Sequence, residues 1–267
     1  MRKNILFFAL GLIIAGSIGV YATIRIQADE IEYKDGTVEE ALNDLYVTSQ
    51  TSTTRICKYE SNEYGDSNNH YSLGTEYVCD VNLDGTTKYN FYILNVTGDT
   101  VTLIMKHNIF EGSSKTTYYW NEALNYVYSI NWKIRADLPR VQDIANAVNY
   151  TSWNYTAAST SNKFYLDSHT STGNKNATNQ SDYQWLFNYS MDCASYGCKY
   201  NFDLNYRNSN GVAEAGGYWT RDVASDGSNP SRAWRIGGHG DVCADVLTNN
   251  ERGVRPVITV LKSNLYE

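Results

Sequence analysis

The stretch that decides the fold is Gly217-Tyr-Trp-Thr-Arg-Asp222, followed by Ala233-Trp-Arg-Ile-Gly-Gly238 and Arg252-Gly-Val-Arg-Pro-Val-Ile-Thr-Val-Leu261. Short runs of aromatic and β-branched residues between polar loops are typical of β-strands. The sequence therefore predicts three closing strands that support loops. Trp219 and Trp234 alternate with polar neighbours on these strands, which predicts that both pack in the core.

The composition indicates a packed, β-rich body with an acidic surface. The chain has 267 residues, of which 42% are hydrophobic, and contains 23 Tyr against three Pro and three Met. Tyrosine suits half-buried sheet positions because its hydroxyl can stay in water. The net charge of −7 weighs against a nucleic-acid partner, since phosphates require a basic surface.

The N-terminus predicts export. Arg2 and Lys3 precede an uncharged run over 5–24, and Val20-Tyr-Ala22 offers a small-residue cleavage site. A run of about 20 apolar residues would also suffice to span a bilayer. We therefore expect a signal peptide or signal anchor over 1–22, and a secreted or cell-surface protein that meets the membrane only through this segment.

Residues 23–55 predict a short helix and a linker. Thr37 can cap a helix that ends at Tyr46, and Glu40 completes a capping box three residues later. The apolar face of this helix fits docking on its own domain and also fits self-association as a stalk. Residues 56–267 are predicted to form the main domain.

Five cysteines suit an oxidising compartment, where disulfides persist. The economical pairing joins Cys57 to Cys79 and Cys193 to Cys198, and leaves Cys243 over. Spacing alone does not prove this connectivity. A structural zinc site would need ligand pairs such as C-x-x-C, which the sequence lacks.

Between the linker and the closing strands, the patterns predict a hairpin and short helices. Two β-type runs over 88–106 flank a Gly-Asp turn. Apolar residues at helical spacing predict helices over 120–127 and 141–148. A capping pair at Ser181 and Gln184 predicts a third helix that buries Trp185 and Leu186. The polar tracts 151–162 and 168–181 predict long loops.

Five short segments occur in an order that is more specific than any one of them: Thr37–Tyr46, Leu138-Pro139, Gly217–Thr220, Ala233-Trp234 and Gly253–Ile258. In this order they resemble a family of uncharacterised secreted proteins from Gram-positive bacteria. The C-terminal domain of that family is similar to the C-type-lectin-like fold, in the branch that includes formylglycine-generating-enzyme-like domains. The resemblance implies an α+β fold with two or three helices, long loops and a small antiparallel sheet whose first and last strands meet.

The resemblance does not carry a cofactor over. Lectins of this class hold calcium through Glu-Pro-Asn or Gln-Pro-Asp and Trp-Asn-Asp tripeptides, and this chain has only Ser228-Asn-Pro230. The enzyme branch uses paired cysteines for copper, whereas Cys243 stands alone in that region. Calcium-dependent sugar binding and oxidase activity are therefore not implied, and no cofactor is expected.

Two motifs with possible metal chemistry have simpler explanations. Asp80-Val-Asn-Leu-Asp-Gly85 matches the start of a calcium loop, but positions nine and twelve are Lys88 and Phe91, so a polar turn is the better interpretation. His239-Gly-Asp-Val-Cys243 would place three metal-capable side chains on one strand face, or lie on a loop. A nucleophilic Cys243 would need an orienting group and a lowered thiol pKa, and the sequence indicates neither.

The candidate ligand residues lie at strand ends or in the loops of the closing strands, where a lectin-like domain usually presents its ligand surface. Arg255 is expected to be structural, because a buried arginine needs a carboxylate or carbonyls as partners. The candidates are Arg221, Asp222, Arg235, His239, Asp241, Asp245, Asn249 and Asn250.

Export without a complete catalytic motif predicts a non-enzymatic, adhesin-like binding module. It would recognise an extracellular glycan or protein through its C-terminal loops. Two alternatives remain open. One is an exported enzyme that uses Cys243 and His239, and the other is a structural subunit of a surface appendage.

Overall fold

A computed structural model of the chain describes residues 32–33, 36–37, 54–109, 117–148, 164–165, 174–175, 184–187, 217–224, 232–237, 241–248 and 252–267. The chain divides into two compact units, Met1–Tyr46 and Val47–Glu267. Within the described ranges, no helix has both the length and the apolar character needed to cross a lipid bilayer.

In the first unit, β1 (Glu32–Tyr33) pairs antiparallel with β2 (Gly36–Thr37). Thr37, the predicted helix cap, is the last residue of β2. The remainder of the predicted helix to Tyr46 lies outside the described residues, as does the predicted export segment over 1–22.

The second unit combines strands and helices in an α+β domain, as predicted. Its helices in the described part are α1 (Trp120–Ser129), α2 (Val141–Ala147) and α3 (Gln184–Phe187). Its strands there are β3 (Cys57–Ser61), β4 (Glu76–Asp80), β5 (Lys88–Thr97), β6 (Thr100–Met105), β7 (Ala136–Asp137), β8 (Phe164–Tyr165), β9 (Asn174–Lys175), β10 (Gly217–Ala224), β11 (Arg232–Gly237), β12 (Asp241–Val246), β13 (Val257–Leu261) and β14 (Leu265–Tyr266).

A seven-stranded sheet has the order β14-β3-β4-β5-β6-β13-β7. The predicted hairpin is confirmed as β5 and β6, whose tight turn places Gly98 at φ +56°. A positive φ suits glycine because it has no Cβ. The predicted bridge between Cys57 and Cys79 is also confirmed, and it joins directly opposed residues of β3 and β4.

The end of the chain completes this sheet at two places. β13 lies between β6 and β7 and pairs antiparallel with both. β14 pairs parallel with β3, so that Leu265 lies opposite Cys57. The strands of this sheet that come first and last along the chain, β3 and β14, are therefore neighbours.

The helices confirm the apolar spacing seen in the sequence. α1 buries Trp120, Ala123 and Val127. α2 buries the predicted apolar face and packs near β5 and β10. α3 buries Trp185 and Leu186, as predicted; it begins at Gln184, and the predicted cap Ser181 lies outside the described residues.

Two of the three predicted closing strands, β10 and β11, belong to a second sheet of order β10-β11-β12-β8-β9, whereas the third, β13, belongs to the seven-stranded sheet. β10 and β11 separate two apolar cores, because successive side chains of a strand point to opposite faces. On β10, Tyr218 joins one core and Trp219 the other. Trp219 and Trp234 are fully buried, which confirms their predicted role in the core.

Candidate functional site

Two of the predicted ligand residues hold β10 against its neighbours. Arg221 forms an ion pair with Asp137 of β7, with 3.0 Å between Nη1 and Oδ2. The backbone N–H of Val141, the first residue of α2, donates to Oδ2 of Asp222 at 2.6 Å. Both contacts link strands and helices that are far apart in sequence. Arg221 and Asp222 therefore support the fold, and their role in ligand binding stays a prediction.

Two further predicted residues meet in a charged cluster at the ends of β11 and β12. Oδ2 of Asp245 lies 2.9 Å from Nη2 of Arg252 and 3.5 Å from Nε of Arg235. The Arg252 side chain is almost completely buried. The contact with Arg252 has the length of a charge-assisted hydrogen bond, whereas the longer contact with Arg235 is an ion pair without one. Asp245 therefore joins β12 to β11 and to the segment that leads into β13.

The positions of the predicted residues need one correction. Arg221, Asp222 and Arg235 lie within β10 and β11 rather than in the connections between strands. The reason is that these strands continue through charged positions whose side chains have partners on other elements, which single-strand hydropathy does not reveal. Asp241 begins β12 opposite Tyr165 of β8. The predicted residues His239, Asn249 and Asn250, and the second cysteine pair Cys193 and Cys198, lie outside the described residues.

The carboxyl groups of Asp143 and Asp222 both lie at the start of α2. Burial raises the pKa of Asp143 to about 6, with Arg140 opposing the rise and Asp222 adding to it. The side-chain amide of Asn95 donates to Oδ1 of Asp143 at 3.0 Å. Desolvation disfavours the charged form of a carboxyl group, which explains the direction of the shift. The contact between α2, β5 and β10 is therefore sensitive to pH.

Arg255 is fully buried and donates to backbone carbonyls, one of the two partner types that the sequence predicted. Its guanidinium also lies 5.1 Å from the ring centroid of Tyr218, whose hydroxyl donates to the carbonyl of Leu186 at 2.9 Å. These contacts attach α3 to β6, β10 and the segment before β13. The carbonyls that accept from Arg255, at 2.6 to 3.0 Å, are those of Met105, Lys106, Trp185 and Leu186.

The loop that resembles a calcium site is a polar turn, as predicted. The backbone N–H groups of Thr86 and Thr87 both donate to Oδ1 of Asp84 at 2.7 Å. These hydrogen bonds hold the pKa of Asp84 well below its usual range. Asp80 accepts from the backbone N–H of Gly85 at 2.6 Å. Both carboxylates therefore serve as acceptors within the turn itself.

The second metal-like motif falls on β12. Cys243 is buried there and lies opposite Arg235 of β11. Among the residues that the structure describes, no three His, Cys, Asp or Glu side chains converge in a group that could hold a metal ion.

Sequence reasoning missed the partners of the charged residues. Asp137 and Arg252 complete the ion pairs of Arg221 and Asp245, yet Asp137 is 84 positions from Arg221 in the chain. The pairing of Arg221 with Asp137 could have been predicted only if β7 and β10 had been predicted to lie close together. In the sequence, the one feature that drew attention to Asp137 was its position directly before the Leu138-Pro139 segment.

Comparison with family models, curated proteins and solved structures finds no match to this chain. Its function therefore has to be inferred from its own residues.

Proposed function

We propose that this chain is an exported, non-enzymatic binding module of the cell surface. It recognises a glycan or a protein through the loops of its C-terminal strands. Two features support export. The first residues combine Arg2 and Lys3 with an apolar run, and the domain carries a disulfide between Cys57 and Cys79, which suits an oxidising compartment.

The observation that carries the proposal is the rigid frame beneath the loops. The indole N–H of Trp219 donates to the carbonyl of Tyr118 at 2.9 Å, and the hydroxyl of Thr220 donates to the carbonyl of Trp234 at 2.9 Å. All four groups are buried. Buried, satisfied hydrogen bonds specify one arrangement of the strands. These two bonds therefore fix β10 against β11 and against the segment before α1, from which the connections start.

The connections have the chemistry of a recognition surface. Residues 225–231 read Ser-Asp-Gly-Ser-Asn-Pro-Ser, and the two later connections contain His239, Asn249 and Asn250. Hydroxyl, amide and imidazole groups can both donate and accept hydrogen bonds, as polar ligands require. Binding residues occur disproportionately on loops that a rigid scaffold positions.

The lectin-like fold is part of the same proposal. The pairing of β14 with β3, the two helices ahead of the closing strands and the second sheet after a long polar tract support it. These features agree with the architecture that the sequence resemblance implies. They support the fold and carry no ligand with them.

The test is binding of the purified full chain to glycan and protein arrays. The loop variant combines His239→Ala, Asn249→Ala and Asn250→Ala. The matched control combines Asn121→Ala, Lys133→Ala and Ser263→Ala, three exposed positions elsewhere. We expect the wild type and the control to bind the same partner and the loop variant to lose it. Absence of binding above background, or full binding by the loop variant, would contradict the proposal.

A further inference from the structure

A cavity of about 370 Å³ opens at the β14–β3 edge of the seven-stranded sheet. Tyr59 of β3, Tyr77 of β4 and Tyr266 of β14 line it, together with the loop that joins β3 to β4. Arg221 contacts Asp137 of β7, which lies at the opposite edge of this sheet. The cavity therefore lies at the other edge of this sheet from the contact with β10, away from the strands β10 to β12 that the proposed function uses.

The aromatic wall of the cavity is formed before any ligand arrives. The rings of Tyr59 and His70 stack with centroids 4.4 Å apart and planes at 11°. The ring of Tyr77 meets Tyr59 edge-on at 6.0 Å, and its hydroxyl donates to the carbonyl of His70 at 3.0 Å. Because His70 is held through both its ring and its backbone, the loop that carries it has a defined position.

The same loop is ordered by its own side chains. Oδ1 of Asp66 accepts from the backbone N–H of Asn68 at 2.9 Å, and Oδ1 of Asn69 accepts from that of Tyr71 at 3.0 Å. The hydroxyl of Ser72 accepts from the backbone N–H of Asp66 at 2.6 Å. A preformed site avoids the entropic cost of ordering a loop on binding.

Two aromatic rings that line the cavity already carry a cation each. Nζ of Lys262 lies 5.6 Å from the ring centroid of Tyr71, and the guanidinium of Arg55 lies 5.3 Å from that of Tyr266. Aromatic rings attract cations through their faces, and these two contacts already use that attraction. A ligand that packs an uncharged C–H face on the aromatic surface does not depend on it.

The rim offers hydrogen-bonding groups that suit an uncharged polar ligand. The side chain of Asn68 is exposed, and so is the carboxylate of Glu267, whose Oε1 lies 3.6 Å from Nδ1 of His70. An amide and a carboxylate can together bond to adjacent hydroxyl groups. Tyr71, with 40% of its surface exposed, presents an aromatic side chain beside them.

We infer that this cavity binds one sugar unit of a neutral saccharide. The C–H face of the sugar ring packs on the aromatic wall, and its hydroxyl groups bond with Asn68 and Glu267. The volume lies within the range of small-molecule sites, roughly 300 to 1,000 Å³. A saccharide combines an apolar face with hydroxyl groups at its edge, which matches an aromatic wall with a polar rim.

The test measures binding of the neutral methyl glycosides of glucose, galactose, mannose and N-acetylglucosamine, with choline as the cationic comparison. Titration calorimetry and saturation-transfer NMR are run on the full chain, in a detergent without sugar or choline headgroups. The variants are Tyr71→Ala and Asn68→Ala. The matched control is Tyr128→Ala, an exposed tyrosine on α1.

We expect at least one glycoside to bind, with about tenfold weaker binding in Tyr71→Ala, about fivefold weaker binding in Asn68→Ala and no change in Tyr128→Ala. If Tyr71→Ala lowers the midpoint of thermal unfolding, its weaker binding does not report on the cavity alone. Asn68→Ala then decides whether the cavity binds the sugar, because the Asn68 side chain is exposed. Three results overturn the inference: no glycoside binds, both cavity variants bind like the wild type, or choline binds more tightly than every glycoside.

The two proposals can fail separately. The variant with His239→Ala, Asn249→Ala and Asn250→Ala should keep its glycoside affinity, because those residues belong to the C-terminal connections. Loss of glycoside binding in that variant alone would assign the sugar to the C-terminal loops and overturn the cavity site. Loss in Tyr71→Ala alone would support the cavity, whatever the arrays show for the loops.

Discussion

The strands β3 to β6 and the closing strands β10, β11 and β13 are held together in different ways. In the first, β3 to β6 are neighbours in both sequence and space, and one disulfide connects β3 to β4. In the second, buried side chains donate hydrogen bonds to backbone carbonyls far along the chain. One example is the indole N–H of Trp219, which donates to the carbonyl of Tyr118. Local pairing tolerates loss of one contact, whereas a directed buried hydrogen bond leaves its partner unsatisfied when broken. The closing strands should therefore respond more strongly to single substitutions.

The largest effect should come from Arg255→Met. This change keeps an unbranched apolar stem but leaves four carbonyls without their buried donor, and we expect a loss of about 4 kcal/mol in the free energy of unfolding. Chemical denaturation of the full chain measures it, with Lys133→Met as an exposed control. A loss below about 1 kcal/mol would mean that the closing strands do not depend on this side chain.

Removal of the disulfide should be the next largest effect and would test the other region. The chain-entropy relation predicts a loss of about 3 kcal/mol for Cys57→Ser with Cys79→Ser, because the bridge closes a separation of 22 residues. The same denaturation experiment under non-reducing conditions measures it. If this double variant proves more damaging than Arg255→Met, the contrast between the two regions is reversed.

A gain in stability is expected from Asp143→Asn. The folded carboxyl has a pKa of about 6 against an ordinary value of 3.8, so the folded protein binds the proton more tightly than the unfolded chain. The stabilisation that comes from this tighter proton binding is present at low pH and is lost as the pH rises through 6. At pH 7.5 the variant should be more stable than the wild type by about 3 kcal/mol. Thermal unfolding at a series of pH values measures this, and the difference should vanish near pH 4.

The smallest effect should come from Asp222→Ala. It removes the acceptor for the first backbone N–H of α2, and we expect a loss of about 1 kcal/mol. Asp222→Asn keeps an acceptor without the charge and should lose less than half as much. Both changes should lower the pKa of Asp143, because Asp222 contributes to raising it. NMR titration of the Asp143 carboxyl measures this, and an unchanged pKa would show that the two groups are not coupled.

Local patterns were sufficient to predict much of the fold. The β5–β6 hairpin, the apolar faces of α1 and α2, and the burial of Trp219 and Trp234 follow from periodicity and turn chemistry over short windows. The partners of Arg255 were predicted by type because a buried guanidinium has few ways to satisfy its donors. Each of these features depends on residues close together in sequence or on one strong physical requirement.

Features that join distant segments could not be predicted from local patterns. The pairing of β14 with β3 involves two residues of each strand and has no local signature, so that only the resemblance implied it. The sequence does not distinguish a strand from a loop at β12, because Gly240 interrupts the alternation of side chains just before Asp241. The cavity combines Tyr59, Tyr77 and Tyr266, which cannot be distinguished among 23 tyrosines until the sheet brings them together.

The insertion of β13 between β6 and β7 sets the order in which the domain can be completed during synthesis. Until residues 257–261 have left the ribosome, one edge of the central hairpin has no hydrogen-bonding neighbour, and exposed strand edges invite pairing with other chains. Every nascent chain passes through this open stage however quickly its earlier strands pair. A chain held extended until its last residues emerge would avoid the hazard, and the export proposed above would provide that condition if it takes place in the unfolded state.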